Sequence, residues 1–196
     1  WRLPKSYIDR SLTNKINELQ IGTIHTIKVV PTKYLFPRVR NLPNKVNCED
    51  ETGTIDCIFF NSYEGYIRKI LPLNEEITIS GKITRFKNKY QITNPTYISK
   101  DSSLIETIHN KYSLTEGITE KSYNKIIKQI LKNLPLLKEW HDEKVLKNFG
   151  NESWNVSIIK LHDPANIANN KSNFYRRLAY DEILSSFIVN SEIRKK

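Results

Sequence analysis

The stretch Lys45-Val46-Asn47-Cys48-Glu49-Asp50-Glu51-Thr52-Gly53-Thr54-Ile55-Asp56-Cys57-Ile58-Phe59-Phe60 predicts two short strands joined by a tight acidic turn. Thr52 and Gly53 favour this turn, because glycine adopts positive φ readily and threonine caps turns with its hydroxyl group. After Gly53, residues 55, 57 and 59 share one face of a strand, since side chains alternate between the two faces. Phe60 falls on the opposite face from Phe59. One ring therefore belongs to the core, and its neighbour is available for another role.

Strand patterns lie on both sides of this hairpin. Ile21–Val30 precedes it, and Glu76–Phe86 follows it with clean alternation of apolar and polar residues. Lys87-Asn88 predicts a hairpin turn, after which Lys89–Ile98 returns as a further strand. Together these strands predict a small five-stranded β-barrel of the OB type.

Helical patterns surround the predicted barrel. Residues 3–20 have apolar side chains at near-helical spacing and predict an amphipathic helix. Ser62–Leu71 predicts a short helix whose Tyr66 plugs the bottom of the barrel. Beyond residue 110, three further helices are predicted, over Thr119–Leu134, Ser153–Leu161 and residues 171–196.

We therefore predict an α+β chain: a five-stranded OB-type β-barrel preceded by a helix and followed by a helical linker segment. Its expected parts are a helical lead-in over residues 1–20, the OB-fold domain over 21–100 and the linker over 101–196. Ile21–Val30 shifts its apolar parity between Ile24 and Ile27, which predicts a bulge where this strand curls around the barrel.

The charge balance favours a polyanionic partner. The chain has 31 Lys and Arg residues against 21 Asp and Glu residues, a formal net charge of +10. A basic protein with a solvated lysine-rich surface has the same composition. The sequence contains no apolar run long enough to cross a bilayer and no signal-peptide pattern, so we expect no membrane partner and a cytoplasmic location. Cys48 and Cys57 are expected to be reduced thiols of the core.

Two acid-free segments lie within the predicted barrel, from Ile21 to Cys48 and from Lys82 to Lys100. The first includes residues 31–43, where three prolines predict an extended loop rather than a central strand. Basic and aromatic residues alternate in this loop: Lys33, Tyr34, Phe36, Arg38 and Arg40. They indicate a loop that follows phosphates and stacks bases, although an ordinary basic loop whose aromatics pack on the barrel has the same pattern. In the second segment, Lys82, Arg85, Lys87 and Lys89 cluster around one hairpin.

The sequence contains no motif for catalysis. It has no G-x-x-x-x-G-K-[ST] phosphate loop, no H-E-x-x-H and no G-x-S-x-G, and its four histidines are far apart. We therefore expect no catalytic residue, no metal site and no cofactor within this chain. His162 is expected to be a structural residue at a helix end.

The ends of the chain suggest a piece of a longer protein. The sequence contains no methionine, opens with Trp1-Arg2 and stops at Arg194-Lys195-Lys196 inside a helical pattern. Our expectation is therefore that function has to be stated for the piece and for its parent.

Several motifs resemble, in collinear order and over essentially the whole chain, the wedge region of the bacterial ATP-dependent DNA helicase RecG. These motifs are Leu3-Pro4-Lys5-Ser6-Tyr7-Ile8-Asp9-Arg10, Asp50-Glu51-Thr52-Gly53 with Phe59-Phe60-Asn61, Tyr112-Ser113-Leu114-Thr115-Glu116-Gly117, Leu161-His162-Asp163-Pro164 and Arg176-Arg177-Leu178-Ala179-Tyr180-Asp181-Glu182-Ile183-Leu184. Two departures stand out: Ser113 replaces the usual proline, and the loop from Lys33 to Pro43 lacks the histidine and double proline of close relatives.

The resemblance implies a parent that translocates on double-stranded DNA, regresses stalled replication forks and migrates Holliday junctions in recombination and repair. In that family the OB barrel is a wedge that splits DNA arms and stacks aromatic residues on bases where strands diverge. This role maps to Phe60 and Tyr63 here. The helical segment would dock the wedge to the helicase motor, whose ATP and Mg sites would follow Lys196. The implied partners are branched DNA, the motor domains of the parent and a single-stranded DNA-binding protein, in the cytoplasm at the bacterial nucleoid.

Our hypothesis from the sequence is that basic side chains position a DNA junction through its phosphates while Phe60 stacks on an unpaired base. The phosphate contacts are assigned to Arg38, Arg40, Arg85, Lys87 and Lys89. Two other classes remain open. A stand-alone OB module would bind linear single-stranded DNA or RNA tightly, and a protein-interaction OB domain would show no salt-dependent affinity for nucleic acid.

Overall fold

A computed structural model describes residues 2–39, 42–164 and 171–195 of the chain. These residues form two compact units, which we call the barrel unit, Asp9–Ile108, and the helical unit, made of the residues up to Ile8 and from His109 onward. The predicted OB domain limits, 21–100, lie inside the barrel unit, and as limits they stay a prediction.

Most strands lie in the first half of the chain and most helices in the second half. The strands are β1 Ser6–Asp9, β2 Thr13–Asn14, β3 Ile24–Leu35, β4 Asn44–Asp50, β5 Gly53–Phe59, β6 Ile77–Phe86, β7 Lys89–Thr93, β8 Tyr97–Ser99 and β9 Ile108–Lys111. The α-helices are α1 Glu64–Ile70, α2 Glu120–Lys132, α3 Glu143–Leu146, α4 Trp154–Leu161 and α5 Asn173–Arg194. Short 3₁₀ turns cover Ile16–Glu18, Ser102–Leu104 and Lys147–Phe149.

The predicted five-stranded barrel is confirmed. Its strands follow the order β3-β4-β5-β7-β6, and a further pairing of β3 with β6 closes the sheet. All neighbours in the barrel are antiparallel except β5 and β7, which run parallel. β2 extends the sheet beside β3 and β8 extends it beside β6. The polar edges of the sheet are thus largely paired, as a barrel requires.

Strand β3 corrects two predictions. It pairs with β6 up to Val29 and with β4 from Val30 to Leu35, and its register shifts between Pro31 and Lys33. The bulge therefore lies at Thr32 and not between Ile24 and Ile27. The prediction of an extended loop from residue 31 is wrong for residues 31–35, because a proline without an N–H group is tolerated at a bulge.

The interior of the barrel is apolar. β4 and β5 contribute alternate residues to it, among them Val46, Cys48 and Cys57, which are fully buried. Both cysteines are free thiols, as predicted. The hydrogen bond with Cys48, together with burial, raises the pKa of the Cys57 thiol, so the charged and reactive thiolate is disfavoured.

Helix α1 contributes Ile67 and the residue after its end, Leu71, to this core, and both are fully buried. The prediction that Tyr66 plugs the barrel is wrong, because its side chain is 57% exposed. The helix begins at Glu64, and Ile67 and Ile70 of the predicted inward face do pack into or against the core.

The predicted helix within residues 3–20 is also wrong. Thr13–Asn14 pairs with β3, and the chain then makes a single 3₁₀ turn over Ile16–Glu18. The Asp50 carboxylate holds this segment: one of its oxygens accepts the Ile16 N–H at 2.8 Å, and the other accepts the N–H groups of Thr52 and Gly53 at 2.7 and 2.9 Å. Partial burial opposes ionisation of Asp50, but the hydrogen bond from the Thr52 hydroxyl and those from the backbone N–H groups outweigh it and lower its pKa.

The helical unit confirms the predicted helices α2, α4 and α5. Each begins at a capping hydroxyl, of Thr119, Ser153 and Ser172 respectively, that accepts a backbone N–H of the first turn. α4 and α5 pack through a cluster that contains Ile158 and Leu178. Among the described residues, no helix combines the length and the apolar character needed to cross a membrane.

His162 follows the last residue of α4, at the helix end where it was predicted. Its Nδ1 lies 2.8 Å from the Tyr112 hydroxyl, and its carbonyl oxygen accepts the Asn110 amide at 2.6 Å. Burial lowers the pKa of His162. Two of the motifs quoted above, around Tyr112 and His162, are therefore parts of one packed cluster.

The motif around Arg177 contains two members of a buried ion-pair network, Arg177 and Asp181. The Arg177 side chain is fully buried, donates to Glu139 at 2.9 Å and pairs with Asp181. Asp181 also accepts from Trp140 and lies 2.6 Å from His141 Nε2. A buried guanidinium requires such partners, so this motif fixes the fold of the helical unit.

The packing of α1 predicts unequal effects of two neighbouring substitutions. Ile67→Ala should lower the free energy of unfolding by about 2–5 kcal/mol, because it leaves a cavity in the barrel core. Tyr66→Ala should change it by no more than about 0.5 kcal/mol, because this side chain is exposed. Urea unfolding followed by circular dichroism measures both, and a larger loss for Tyr66→Ala would contradict this packing.

The hydrogen bonds of Asp50 predict a pH dependence. Because the folded state lowers the pKa of Asp50, its contribution to stability is present above the unfolded value of about 3.9 and is lost as the pH falls through the folded value. Asp50→Asn should therefore destabilise the protein at pH 7, and its difference from the unsubstituted chain should shrink under acid conditions. Glu51→Gln, in the same turn, is the control and should have little effect at either pH. Unfolding titrations at pH 7 and pH 3 test this.

Candidate nucleic-acid interface

The chain after β5 forms an exposed turn, residues 60–63, which we call the aromatic turn. Phe60 is 48% exposed and Tyr63 is 87% exposed. Phe60 faces away from the core because it follows the buried Phe59 on the strand. The structure therefore leaves both predicted aromatic residues accessible at one end of the barrel.

Two asparagines, one from β4 and one from the segment after β7, hold the aromatic turn. The Phe60 N–H donates to Asn94 Oδ1 at 3.1 Å, and the Asn94 N–H donates to the Ile58 carbonyl at 2.7 Å. On the other side, the Asn44 amide donates to the Ser62 carbonyl at 2.7 Å. Asn94 has a φ of 45°, a left-handed conformation that asparagine tolerates better than most residues. The backbone of the aromatic turn is therefore fixed by β4 and by the segment after β7.

Tyr34 and Phe36 lie at the end of β3 and stack on each other, with ring centroids 5.2 Å apart and planes 16° from parallel. Both are half-buried against the barrel core, and the Tyr34 hydroxyl donates to the Leu71 carbonyl at 2.7 Å. This packing agrees with the alternative interpretation given above, an ordinary basic loop whose aromatic residues pack on the barrel. Base stacking by these two rings stays a prediction.

The basic residues of the same segment lie on the surface where the structure describes them. Lys33, opposite Asn47 on β4, and Arg38 are both exposed. Arg40 was predicted as a phosphate contact and lies outside the described residues.

The second basic cluster lies at the β6–β7 hairpin, where Arg85, Lys87 and Lys89 are exposed. The predicted turn is confirmed, with Lys87 and Asn88 at positive φ. Phe86, between these basic residues, is 59% exposed, and the Lys87 ammonium lies 5.6 Å from its ring centroid. Phe86 was not among the predicted contacts, although the alternation of β6 with Ile83 inward indicates that Phe86 points outward.

The structure does not bring all predicted residues together. β5 and β7 run parallel, with Ile55 opposite Tyr90 and Ile58 opposite Thr93. The basic hairpin therefore lies at the start of β5 and the aromatic turn at its end. The seven residues of β5 separate the two by about 20 Å.

Between these two ends, on the side of the sheet that faces away from the core, Asp56 of β5 is buried. Asn47, Asp56 and Gln91 are neighbours across β4, β5 and β7. Lys45 forms an ion pair with Asp56, so its charge is partly neutralised. Within the described ranges, no group of three or more His, Cys, Asp or Glu residues is placed to hold a metal ion.

The asparagine anchor predicts a graded loss of stability at residue 94. Asn94→Gly should cost about 1 kcal/mol, because it removes the acceptor of the Phe60 N–H but keeps the left-handed backbone. Asn94→Ala should cost about 1–2 kcal/mol more, because alanine disfavours that conformation. Urea unfolding measures the cost, and hydrogen exchange at the Phe60 amide should accelerate in both variants.

Asn88→Gly is the matched control, because Asn88 also has positive φ but lies in the exposed hairpin turn. It should change neither stability nor exchange at Phe60. Unchanged exchange at Phe60 in the Asn94 variants would contradict the anchor.

Comparison with known proteins places this geometry in a wider context. Residues 20–99 match the sequence model of a family described as an OB-fold nucleic acid binding domain. The ATP-dependent DNA helicase RecG of Staphylococcus epidermidis is 32% identical over 117 residues, which are 59% of this chain and 16% of the helicase. RecG of Staphylococcus aureus is 27% identical over 170 residues, 83% of this chain and 24% of that protein.

The solved structure of RecG bound to a three-way DNA junction is similar over 99% of this chain and 27% of its own, with a TM-score of 0.68 and 22% identity. At 22% identity, this structural similarity supports the fold alone. The chain spans about a quarter or less of the length of these relatives. The OB fold and the predicted resemblance are both confirmed: the chain is similar to the OB-fold region of the RecG helicases.

Proposed function

We propose that this chain is the branched-DNA-binding part of a RecG-like ATP-dependent DNA helicase. Its barrel would sit at the branch point of a replication fork or Holliday junction and separate the DNA arms during fork regression and branch migration. The observation that carries this proposal is the aromatic turn, where Phe60 and Tyr63 are exposed on a backbone anchored from two sides.

The proposed mechanism combines stacking with phosphate contacts. A base that loses its partner at the branch point would stack on Phe60 or Tyr63, which is worth ~1–3 kcal/mol per base. The basic hairpin, Arg85, Lys87 and Lys89, would contact the backbone of a DNA arm at the other end of the barrel. Stacking of this size holds a branch point open but does not melt duplex DNA, so the work would come from ATP hydrolysis elsewhere in the parent.

In this proposal the barrel binds DNA and other domains of the parent hydrolyse ATP. The parent would bind ATP and Mg in helicase motor domains, and the helical unit would link these domains to the barrel. Branched DNA would be the substrate in recombination and repair at the bacterial nucleoid, with a single-stranded DNA-binding protein as a further partner. Recognition would depend on the shape of the DNA, because the exposed aromatic residues lie on a turn and not on a helix that reads base edges in the major groove.

A binding titration tests the proposal. The chain is titrated against a fluorescent three-way fork, a linear duplex and a single strand at two salt concentrations, with fluorescence anisotropy as the readout. The fork should bind most tightly, and binding should weaken as salt rises. Phe60→Ala should weaken fork binding about 5- to 150-fold, the equivalent of one lost stack, and duplex binding much less.

Tyr66→Ala is the control, because Tyr66 is an exposed aromatic residue of α1 outside the aromatic turn. It should leave the preference for the fork unchanged. Equal loss on fork and duplex for Phe60→Ala would contradict the stacking role. Equal affinity of the unsubstituted chain for the single strand would instead favour a general OB module.

A further inference from the structure

Arg68, on α1, is a basic residue that neither charge clustering nor motif matching identified. Its guanidinium carbon lies 4.6 Å from the ring centroid of Tyr34 and 5.0 Å from that of Phe36. The two rings are themselves stacked. We propose that Arg68 and this ring pair form a phosphate-binding site for the DNA backbone, in which the rings hold the guanidinium in place.

The ring pair is a rigid support. Tyr34 is fixed by its hydrogen bond to the Leu71 carbonyl, and both rings pack against the barrel core. Leu71 is the residue directly after α1, the helix that carries Arg68. Tyr34 and Arg68 are therefore connected through the end of α1.

Within the described residues, no carboxylate neutralises the charge of Arg68. Glu64 lies one turn earlier on α1, at the i, i+4 spacing that favours ion pairs. Yet in the described part of the chain Arg68 forms no ion pair within 4.0 Å, and its guanidinium lies over the rings instead. Contact with an aromatic face leaves the guanidinium N–H groups free to donate at its edge. A planar fork of donors with a full positive charge suits a phosphate group.

The position of the site agrees with the path of a DNA strand past the aromatic turn. Tyr63 is the residue directly before α1, and Arg68 lies five residues further on, about 7.5 Å along the helix axis. A strand with a base stacked on the turn would bring its own backbone close to α1. The inference rests on the proposed function in this respect, and it gives Tyr34 and Phe36 a different role from the one predicted: they support an arginine, and they do not stack bases.

The experiment measures the salt dependence of DNA binding by the full chain, with the fork and the linear duplex as probes. Loss of one phosphate contact lowers the slope of log K against log [salt] by about 0.9, which corresponds to about an eightfold loss of affinity at 0.1 M salt. Arg68→Ala should show this change. Lys69→Ala is the matched control, because Lys69 is the next residue of the helix, is also exposed and carries the same charge. It should leave the slope unchanged.

The role of the rings is tested by a double-mutant cycle. Phe36→Leu keeps the charge of Arg68 but removes half of its support, and should weaken binding in part. Phe36→Leu with Arg68→Ala should bind no more weakly than Arg68→Ala alone. Urea unfolding of each variant separates this from a structural effect. If Arg68→Ala lowers stability but leaves the salt slope unchanged, Arg68 only packs against the rings and the proposal is overturned.

Other outcomes are equally decisive. An equal change of slope for Lys69→Ala, or additive losses in the cycle, would overturn the site. If the unsubstituted chain binds fork and duplex equally, the fork function fails, while the slopes of the variants on the duplex still decide the role of Arg68. If the unsubstituted chain shows no salt-dependent binding to either probe, both proposals are overturned.

Discussion

Strand β3 pairs with β6 over its first half and with β4 over its second half, and this double pairing closes the sheet into a barrel. The change of partner occurs beside Pro31, where the register shifts. A proline in the middle of a sheet strand would leave a neighbour without a donor, but at a bulge it does not. Because β3 ends where it is paired to β4, its last residues lie at the same end of the barrel as the aromatic turn and α1.

At that end, side chains supply hydrogen bonds to backbone groups that no strand pairs. Asn44 and Asn94 hold the aromatic turn, and Tyr34 holds the end of α1. Each of these residues uses a polar group to satisfy a backbone N–H or carbonyl that no strand pairs. The exposed rings of Phe60 and Tyr63 can therefore stay accessible without making the local backbone loose.

Local patterns in the sequence predicted the central hairpin and the starts of the later helices correctly. Alternation across residues 45–60 gave the hairpin, and hydroxyl residues such as Thr119 gave the starts of helices. The errors arose where a distant residue decided the outcome. Ile8, Leu12, Ile16 and Leu19 have helical spacing, but Leu12 is 73% exposed and Ile16 is bound by Asp50, 34 residues away. The contact of Arg68 with Tyr34 likewise joins residues too far apart for any spacing rule to reveal.

The parallel run of β5 and β7 sets a fixed distance between the aromatic turn and the basic hairpin. β5 is a seven-residue strand with paired neighbours on both sides, so it can neither stretch nor bend by much. The barrel thus holds the aromatic turn and the basic hairpin about 20 Å apart, which equals the length of about six base pairs of duplex at about 3.4 Å each. Any nucleic acid that touches both ends at once must match this length. A single inserted residue in β5 would either form a bulge or turn every following side chain to the other face, so this distance is tied to the fold itself.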